Sequence, residues 1–183
     1  FPDEINAWVV VKPDETVVIR IARSEMGQGT LTGLAQLVAE ELECDWANVT
    51  TEYPTPAINL ERGRIWQSFS TGGSRGIRES QKYVREGGAA AREMLIAAAA
   101  ETWGAPAGEC KVEKGVITHS VSGRQTTYGK VAEAAGRREV PKNVTLKDPK
   151  EWTIAGKSLK RLDTKPKVTG ALVYGADIKL PGM

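Results

Sequence analysis

Two glycine-rich polar turns carry the residues whose types and spacing could do chemistry in this sequence. Residues 26–30 are Met-Gly-Gln-Gly-Thr, residues 70–74 are Ser-Thr-Gly-Gly-Ser, and a helical pattern follows each turn. Glycine lets the backbone approach a ligand and adopt positive φ, and free N–H groups at the start of a helix attract anions. The hydroxyls of Thr30 and Ser74 are suitable N-caps. Side by side, such turns could hold a pyrophosphate or a pterin-type cofactor.

Neither turn matches a standard nucleotide-binding motif. The dinucleotide pattern GxGxxG would need a third glycine at position 32, where the sequence has Thr32, and the Gly-Lys-Ser/Thr of a P-loop is absent. A glycine turn before a helix is commonly only a cap. Two interpretations therefore stay open: a cofactor site, or a non-catalytic binding or assembly domain whose glycine turns only cap helices.

The composition excludes several other kinds of site. The 183 residues include 25 basic and 23 acidic ones, and this near-balance gives no electrostatic reason to expect nucleic acid as a partner. One histidine and two cysteines without CxxC spacing argue against a zinc site and against His-dependent catalytic triads. No apolar run reaches the length of about 18 residues that a membrane span requires. We therefore assign no catalytic residue and no metal ligand.

Several single residues have competing interpretations. We expect His119, with no acidic partner evident, to be a surface or hydrogen-bonded residue, and Glu25 to be a paired turn carboxylate rather than a base. Negative charge around Cys44 should raise the pKa of its thiol. Trp66 precedes the second turn, where it could stack on a ligand or pack in the core. Four arginines flank the same turn and could bind phosphate or keep the loop soluble: Arg62, Arg64, Arg75 and Arg78.

The elements that must position the turns follow from hydrophobic periodicity. Strands are predicted over 7–11 and 16–23 as a hairpin, over 49–53, and in a meander between 109 and 127; helices are predicted over 31–42, 75–103 and 128–135. Residues 54–73 have the composition of an irregular loop. Gly87 and Gly88 within a helix each cost about 1 kcal/mol relative to alanine, which indicates a kink or a close helix approach.

These elements predict an α+β fold. A mixed sheet, built from the hairpin, the 49–53 strand and the meander, would be covered on one face by the two main helices. Residues 1–135 would form this domain, and the basic, proline-containing residues 136–167 would form an extended arm or linker. Residues 168–183, of which 168–177 are strand-like, would begin a further domain.

Three segments resemble the molybdenum hydroxylases, the family of xanthine dehydrogenase and aldehyde oxidoreductase. Residues 24–32, followed by Ala-Glu-Glu-Leu at 39–42, resemble one of that family's cofactor-binding segments; residues 70–74 with the helix after them resemble a second. Residues 167–178 resemble the opening of the family's hammerhead domain. The order of the segments is similar to that in the isoquinoline 1-oxidoreductase β-subunit branch.

The resemblance implies a large subunit that binds molybdopterin, as the cytosine dinucleotide, and hydroxylates an aldehyde or N-heterocycle with water as the oxygen source. Its partners would be the remainder of its own subunit and a small subunit with two 2Fe–2S clusters. The residues that match the family's cofactor-binding segments are Met26, Gly27, Gln28, Gly29, Thr71, Gly72, Gly73 and Ser74.

The resemblance also implies that important parts lie elsewhere. The family's catalytic Gly-x-Gly-Glu motif and its Gly-Gly-Gly-Phe-Gly cofactor loop do not occur in the sequence. We therefore expect an N-terminal fragment that does not turn over alone. The start at Phe1 suggests a truncated N-terminus, so the compartment, cytoplasm or periplasm, stays open.

Overall fold

The structure is a computed structural model that describes residues 3–183. Its strands are β1 (Glu4–Asn6), β2 (Val9–Val11), β3 (Val17–Arg20), β4 (Val49–Glu52), β5 (Cys110–Glu113), β6 (Val116–His119) and β7 (Gln125–Thr127). Its α-helices are α1 (Thr30–Leu42), α2 (Pro56–Glu61), α3 (Arg75–Arg78), α4 (Gln81–Trp103), α5 (Tyr128–Gly136) and α6 (Thr164–Val168). Short 3-10 turns lie at Trp46–Asn48, Ala107–Glu109, Pro149–Glu151 and Gly175–Asp177.

The first sheet has four strands in the order β1-β2-β3-β4 and is mixed, as predicted. Strands β2 and β3 form the predicted hairpin, with Val9 opposite Ile19 and Val11 opposite Val17, whereas β4 pairs with β3 in parallel. Parallel pairing is possible because α1 forms the crossover between β3 and β4. Strand β1 was not predicted, because its three residues are too few to show a pattern.

Helices α1 and α4 pack on each other and on this sheet, which confirms the α+β class. Helix α1 buries Leu34, Val38 and Leu42 on one face, at the spacing that the sequence shows. Helix α4 approaches it closely at Gly88, where a Cβ atom would lie 2.5 Å from the carbonyl oxygen of Val38. Close approach, one of the two interpretations of the glycine pair, is therefore the reason for Gly88.

The meander does not extend this sheet, so that part of the prediction is wrong. Strands β5, β6 and β7 form a separate antiparallel sheet. Helix α5 instead lies against β1, with Gly136 packed on the carbonyl of Glu4, so that edge of the first sheet is covered. The turn between β5 and β6 is joined to the end of α1 by the N–H of Gly115, which donates to the carbonyl of Glu43 at 2.9 Å. Tyr128, at the start of α5, donates its hydroxyl to the carbonyl of Leu42 at 2.6 Å.

Two other predicted elements are divided differently. The helix predicted over 75–103 is interrupted at residues 79–80, and the break separates α3 from α4. Its position is marked by Ser80, whose fully buried hydroxyl accepts hydrogen bonds from Arg23 and Tyr83. The loop predicted over 54–73 contains α2, which begins with Pro56 after the N-cap Thr55.

The arm has little regular secondary structure, and it is fixed to α1 by buried carboxylates. Glu40 is 1% exposed, and its Oε2 accepts hydrogen bonds from three consecutive backbone N–H groups, at residues 153–155. The Nζ of Lys147 lies 2.6 Å from the other oxygen of Glu40. Glu41, also buried, accepts from the backbone N–H of Lys147 and from Arg85.

The strand predicted after the arm is not formed. Helix α6 and the 3-10 turn Gly175–Asp177 occupy the region instead. Local hydrogen bonds use groups that a strand would pair: the N–H of Leu172 donates to the carbonyl of Pro166, and that of Tyr174 donates to the side chain of Asp177.

Alanine at position 88 should destabilise the fold. The added methyl group would meet the Val38 carbonyl, which is backbone and cannot rotate away. Alanine has the better helix propensity by about 1 kcal/mol, but after this gain is subtracted we still expect overpacking to lower the unfolding free energy by about 1–3 kcal/mol. Urea denaturation of Gly88→Ala measures this. Gly108→Ala, where nothing lies within 4 Å of the added Cβ, is the matched control; equal stability of the two variants would contradict the packing argument.

Replacing Glu40 should release the arm. Glu40→Gln leaves Lys147 without its carboxylate and weakens the acceptor of three N–H groups, so we expect a loss of about 3 kcal/mol in unfolding free energy. Limited proteolysis should also cut residues 140–155 faster. The exposed pair of Glu133 with Arg137 provides the control Glu133→Gln, expected to change stability by at most about 0.5 kcal/mol. An arm that stays protected in Glu40→Gln would refute the anchoring role.

Candidate functional site

The fold brings the two glycine turns together. The Thr71 hydroxyl donates to the carbonyl of Ser24 at 3.0 Å, and the Nη1 of Arg23 donates to the carbonyl of Ser70 at 2.6 Å. Residues 23 and 24 lie between β3 and the first turn, so the hairpin positions this turn and α1 continues from it. The juxtaposition that the sequence only allowed is therefore present in the structure.

The first turn, residues 26–29, is held by the carboxylate of Glu25. Its Oε1 accepts hydrogen bonds from the N–H groups of Gly27 and Gly29, at 2.7 and 2.9 Å, and its Oε2 accepts from that of Leu31 at 3.0 Å. Both glycines have positive φ, 102° and 86°, which other residues rarely adopt. Glu25 is thus a paired turn carboxylate, as expected.

The side chain of Gln28 braces the same turn. Its Oε1 accepts from the N–H of Met26 at 2.6 Å, and its Nε2 donates to the carbonyl of Ser24 at 2.9 Å. Together with Glu25, it engages four of the six backbone N–H groups of residues 26–31. The first turn therefore has a fixed shape and few free donors. The assignment of residues 26–29 as cofactor contacts stays a prediction.

One of the two predicted N-caps, Thr30, is wrong. Gly29, in the left-handed region, is the N-cap of α1, and Thr30 is instead buried against Gly76. Ser74 is the N-cap residue of α3, as predicted, but it has φ 56° and its side chain makes no capping hydrogen bond. Thr30 is not needed as a cap, because the carboxylate of Glu25 accepts the hydrogen bonds of N–H groups at the start of α1.

The second turn has the opposite character. Among the described residues, none provides a hydrogen-bond acceptor for the backbone N–H groups of residues 71–74. Gly73 and Ser74 have φ near 55°, and a Cβ added to Gly72 would meet nothing within 4 Å. The second turn thus combines free donors with open space, which suits an anionic ligand.

Of the four arginines that flank the second turn, two lie where they could bind phosphate and two do not. Arg75 and Arg78 lie on the second turn and donate to the carbonyls of Gly72 and Gly73, both at 3.3 Å. Arg62 instead pairs with Glu4 at 2.6 Å, over the ring of Trp66. Arg64 is exposed.

Trp66 belongs to the core and not to a ligand platform. It is 1% exposed, and its Nε1 donates to the carbonyl of Ala7 at 2.8 Å. A stacking role for this tryptophan is therefore wrong.

A residue of the arm, which no sequence pattern indicated, completes the first turn. Arg161 donates to Glu25 Oε1 at 3.0 Å and to the carbonyl of Gly27 at 2.9 Å. It also forms a bidentate pair with Asp163, and these hydrogen bonds hold the pKa of the Asp163 carboxyl well below its usual range. In the sequence Arg161 is one of many basic residues in the arm, so no pattern distinguished it.

A cavity of about 630 Å³ lies beside the first turn. Its walls include Met26, Leu31 and Tyr53, and the segment 172–175 closes its far side. This volume is typical of a small-molecule site. Met26 is 69% exposed, so its apolar side chain is available to a ligand or to a further part of the protein.

The other candidate residues lie apart from the turns. His119, in the second sheet, has an acidic partner that the sequence did not reveal: its Nε2 lies 2.8 Å from Glu109 Oε2, and its Nδ1 lies 2.7 Å from the Ser122 hydroxyl. It is buried and hydrogen-bonded, as expected.

Burial raises the pKa of the Cys44 thiol to about 12, with nearby Asp45 contributing less. A reactive thiolate at this position is therefore excluded.

Within residues 3–183, no group of three or more histidine, cysteine, aspartate or glutamate side chains is arranged to hold a metal ion. Over the same range, no helix is long and apolar enough to cross a membrane.

Comparison with known proteins identifies relatives along the whole chain. Residues 1–179 match the family model of the molybdopterin cofactor-binding domain. The chain is 31% identical to isoquinoline 1-oxidoreductase subunit beta of Brevundimonas diminuta, over 97% of this chain and 27% of that protein. It is 30% identical to the membrane-bound aldehyde dehydrogenase (pyrroloquinoline-quinone) of Gluconacetobacter polyoxogenes, over 98% and 23%. The chain thus spans about a quarter of the length of these curated relatives.

A solved structure has the same fold. Quinoline 2-oxidoreductase from Pseudomonas putida 86 superposes with a TM-score of 0.52 at 19% identity, covering 69% of this chain and 15% of that one. At this identity the match supports the fold only.

Replacing Glu25 should loosen the first turn and change its response to acid. Burial raises the pKa of Glu25, but three backbone donors and Arg161 outweigh burial, so the pKa lies below the ordinary 4.5. Its stabilisation is therefore complete above pH 4.5 and is lost as the pH falls through the pKa of the folded state. Glu25→Gln should lower stability by about 1–3 kcal/mol at neutral pH and flatten this acid-dependent loss.

Thermal unfolding measured from about pH 7 down to about pH 3 tests both effects. Glu61→Gln, an exposed carboxylate in α2, is the control and should keep the wild-type pH profile. A Glu25→Gln profile parallel to that of the wild type would show that Glu25 does not shape the turn.

Proposed function

The chain belongs to the molybdopterin cofactor-binding domain family, and we propose that it forms part of the molybdenum subunit of an oxidoreductase that hydroxylates an aldehyde or an N-heterocycle. Water would be the oxygen source. The observation that carries the proposal is the pair of adjacent glycine turns, one rigid and one with free backbone donors. Relatives named for isoquinoline and aldehyde oxidation support the substrate class.

The residues present fit such a cofactor. A molybdopterin carries phosphate, and the N–H groups of residues 71–74 lie free beside the guanidinium groups of Arg75 and Arg78. Gly72 leaves space that a side chain would fill. Both the sign of the charge and the donor chemistry of the second turn therefore suit an anionic cofactor.

Each turn would have a different task. When bound, the cofactor would supply the molybdenum centre at which the substrate carbon is hydroxylated. The second turn would bind its anionic part through backbone N–H groups. The first turn would offer a surface of fixed shape, because Glu25 and Gln28 hold it through hydrogen bonds within residues 24–31.

The finer parts of the proposal come from resemblance. We include the cytosine dinucleotide form of the cofactor and a partner subunit with two 2Fe–2S clusters that carries the electrons away. Residues 1–135 would be the cofactor-binding domain, 136–167 the arm, and 168–183 the start of a hammerhead-like domain. Support for these divisions is the similarity of residues 167–178 to the opening of that domain and the greater length of the relatives.

The proposal predicts molybdenum and a pterin nucleotide in the complete subunit. After expression with cofactor-maturation factors, elemental analysis should give close to one molybdenum per subunit, and acid release should yield the nucleotide. Gly72→Val would fill the open space at the second turn and should lower both contents at least about tenfold. Gly108→Val, at a glycine equally free of neighbours, is the control and should keep both.

Two outcomes would count against the proposal. A folded wild-type subunit without molybdenum or pterin would favour the other interpretation, a non-catalytic binding or assembly domain. Normal cofactor content in Gly72→Val would remove the second turn from the site.

A further inference from the structure

His119 lies between a serine hydroxyl and a carboxylate. Its Nδ1 is 2.7 Å from the Oγ of Ser122, and its Nε2 is 2.8 Å from the Oε2 of Glu109. The imidazole is buried, whereas Ser122 is exposed and the side chain of Glu109 is 43% exposed. A base that contacts a nucleophile on one side and an orienting carboxylate on the other has the geometry of a Ser-His-acid site. The single histidine of the sequence argued against such a site, but the fold supplies both of its partners.

Backbone hydrogen bonds at the end of the second sheet bring these three residues together. The N–H of Gly123 donates to the carbonyl of His119 at 2.8 Å, which closes a tight turn and returns residue 122 toward the imidazole. Gly123 has φ 70°, a conformation that glycine adopts readily. The N–H of Ser120 donates to the carbonyl of Glu109 at 2.8 Å, so Glu109 extends the pairing of β5 with β6 by one residue. Main-chain contacts therefore fix the positions from which the three side chains meet.

The hydrogen bonds of Ser122 fix the direction of its proton. Its Oγ accepts from the backbone N–H of Arg124 at 3.4 Å and from the Nε of Arg124 at 3.0 Å. A hydroxyl has two lone pairs and one proton, so with both lone pairs engaged the proton donates to His119 Nδ1. The ring then carries its own proton on Nε2 and donates it to the Glu109 carboxylate. A neutral imidazole in this tautomer is the form that can take a proton from a serine.

Arg124 supplies a positive charge beside the same hydroxyl. Its guanidinium lies over the ring of Trp103, with 5.8 Å between Cζ and the ring centroid, and this contact helps to orient the group. Within residues 3–183, the two Nη groups of Arg124 bond to no acceptor and no carboxylate pairs with it. These N–H donors adjoin Ser122, where an oxyanion would develop on an acyl group attached to its Oγ, and they can stabilise that charge.

We propose that Ser122, His119 and Glu109 form an acyl-transfer site that hydrolyses small activated esters. Ser122 Oγ attacks the acyl carbon, and its proton passes to His119 Nδ1. The bond from the acyl carbon to the alcohol oxygen then breaks, and His119 returns the proton to this leaving group, which departs as the alcohol. Glu109 is a positioning residue, because its side chain contacts the imidazole and not the reacting atoms.

Water completes the cycle in the same way. It attacks the acyl-serine ester and gives a proton to His119; the bond between the acyl carbon and Ser122 Oγ breaks, the serine regains its proton, and a carboxylic acid leaves. No electrons are transferred, so the site needs neither an oxidant nor a metal. The second sheet lies apart from the glycine turns, and this activity is therefore additional to the proposed function.

The substrate class follows from the openness of the site. Residues 120–124 are all exposed, and Val121, at 77% exposure, is the apolar side chain next to the nucleophile. Such a surface buries little of a ligand, so it provides little binding energy for a long acyl chain. An ester with a good leaving group depends least on binding energy, which is why the site suits small activated esters.

A fluorophosphonate probe tests the nucleophile in the 183-residue chain. Ser122 should displace fluoride from phosphorus, so that intact-mass analysis gives close to one adduct per chain and peptide mapping places it on Ser122. Ser122→Ala should abolish the adduct. Ser120→Ala, in the same exposed turn but with no hydrogen bond to His119, is the matched control and should react like the wild type. An unmodified wild type, or an equal adduct on Ser122→Ala, would overturn the proposal.

Hydrolysis of p-nitrophenyl acetate tests the base and the positioning residue. The wild type should exceed Ser122→Ala at least about tenfold in rate, and His119→Gln should match Ser122→Ala. Since His119 is buried, the exposed Ser122 provides the variant that decides the proposal. A wild type no faster than Ser122→Ala would refute ester hydrolysis at this site.

The role of Glu109 has a separate signature. Glu109→Gln should lower kcat about tenfold and leave KM unchanged, and Glu109→Asp should recover part of the loss, because a carboxylate there still orients the ring. A merely structural role would not separate glutamine from aspartate in this way. Equal kcat in Glu109→Gln and the wild type would remove Glu109 from the site.

Discussion

Two buried carboxylates near the end of α1 connect this helix to α4 and to the arm. Glu40 and Glu41 are at most 1% exposed, yet each is compensated. Glu40 receives Lys147 and three consecutive amides of the arm, and Glu41 receives Arg85 from α4 and a further amide of the arm. Because an uncompensated buried charge is so costly, α1, α4 and the arm must keep the relative positions that pair these charges.

That arrangement extends to the candidate site. Once the arm is fixed at residues 147–155, its continuation reaches Arg161, which bonds Glu25 and the first turn. The other end of the same helix, α1, begins at that turn. The first turn is thus held from within by Glu25 and from outside by Arg161, so the anchoring of the arm adds to the bonds that fix its shape.

The two glycine turns share composition but differ in what their backbone does. In the first, an internal carboxylate and Gln28 occupy most N–H groups; in the second, the N–H groups remain free and arginines surround the turn. The difference depends on one residue type at one position, since Glu25 has no equivalent before Thr71, where Ser70 stands. A site with one shaped surface and one charged surface suits a ligand with a neutral part and an anionic part.

The α+β class, helix α1, the central hairpin and the two turns could be predicted from the sequence, because periodicity and glycine positions are local signals. The separate second sheet, the break at Ser80 and the fold of residues 164–177 depended on contacts distant in sequence, which no local pattern encodes. The same holds for the site: Met26 to Gly29 and Thr71 to Ser74 could be named, but not the donors left free. The folded chain alone shows that Glu25 satisfies donors of the first turn while the N–H groups of residues 71–74 stay free, since hydrogen-bond compensation is a property of the tertiary structure.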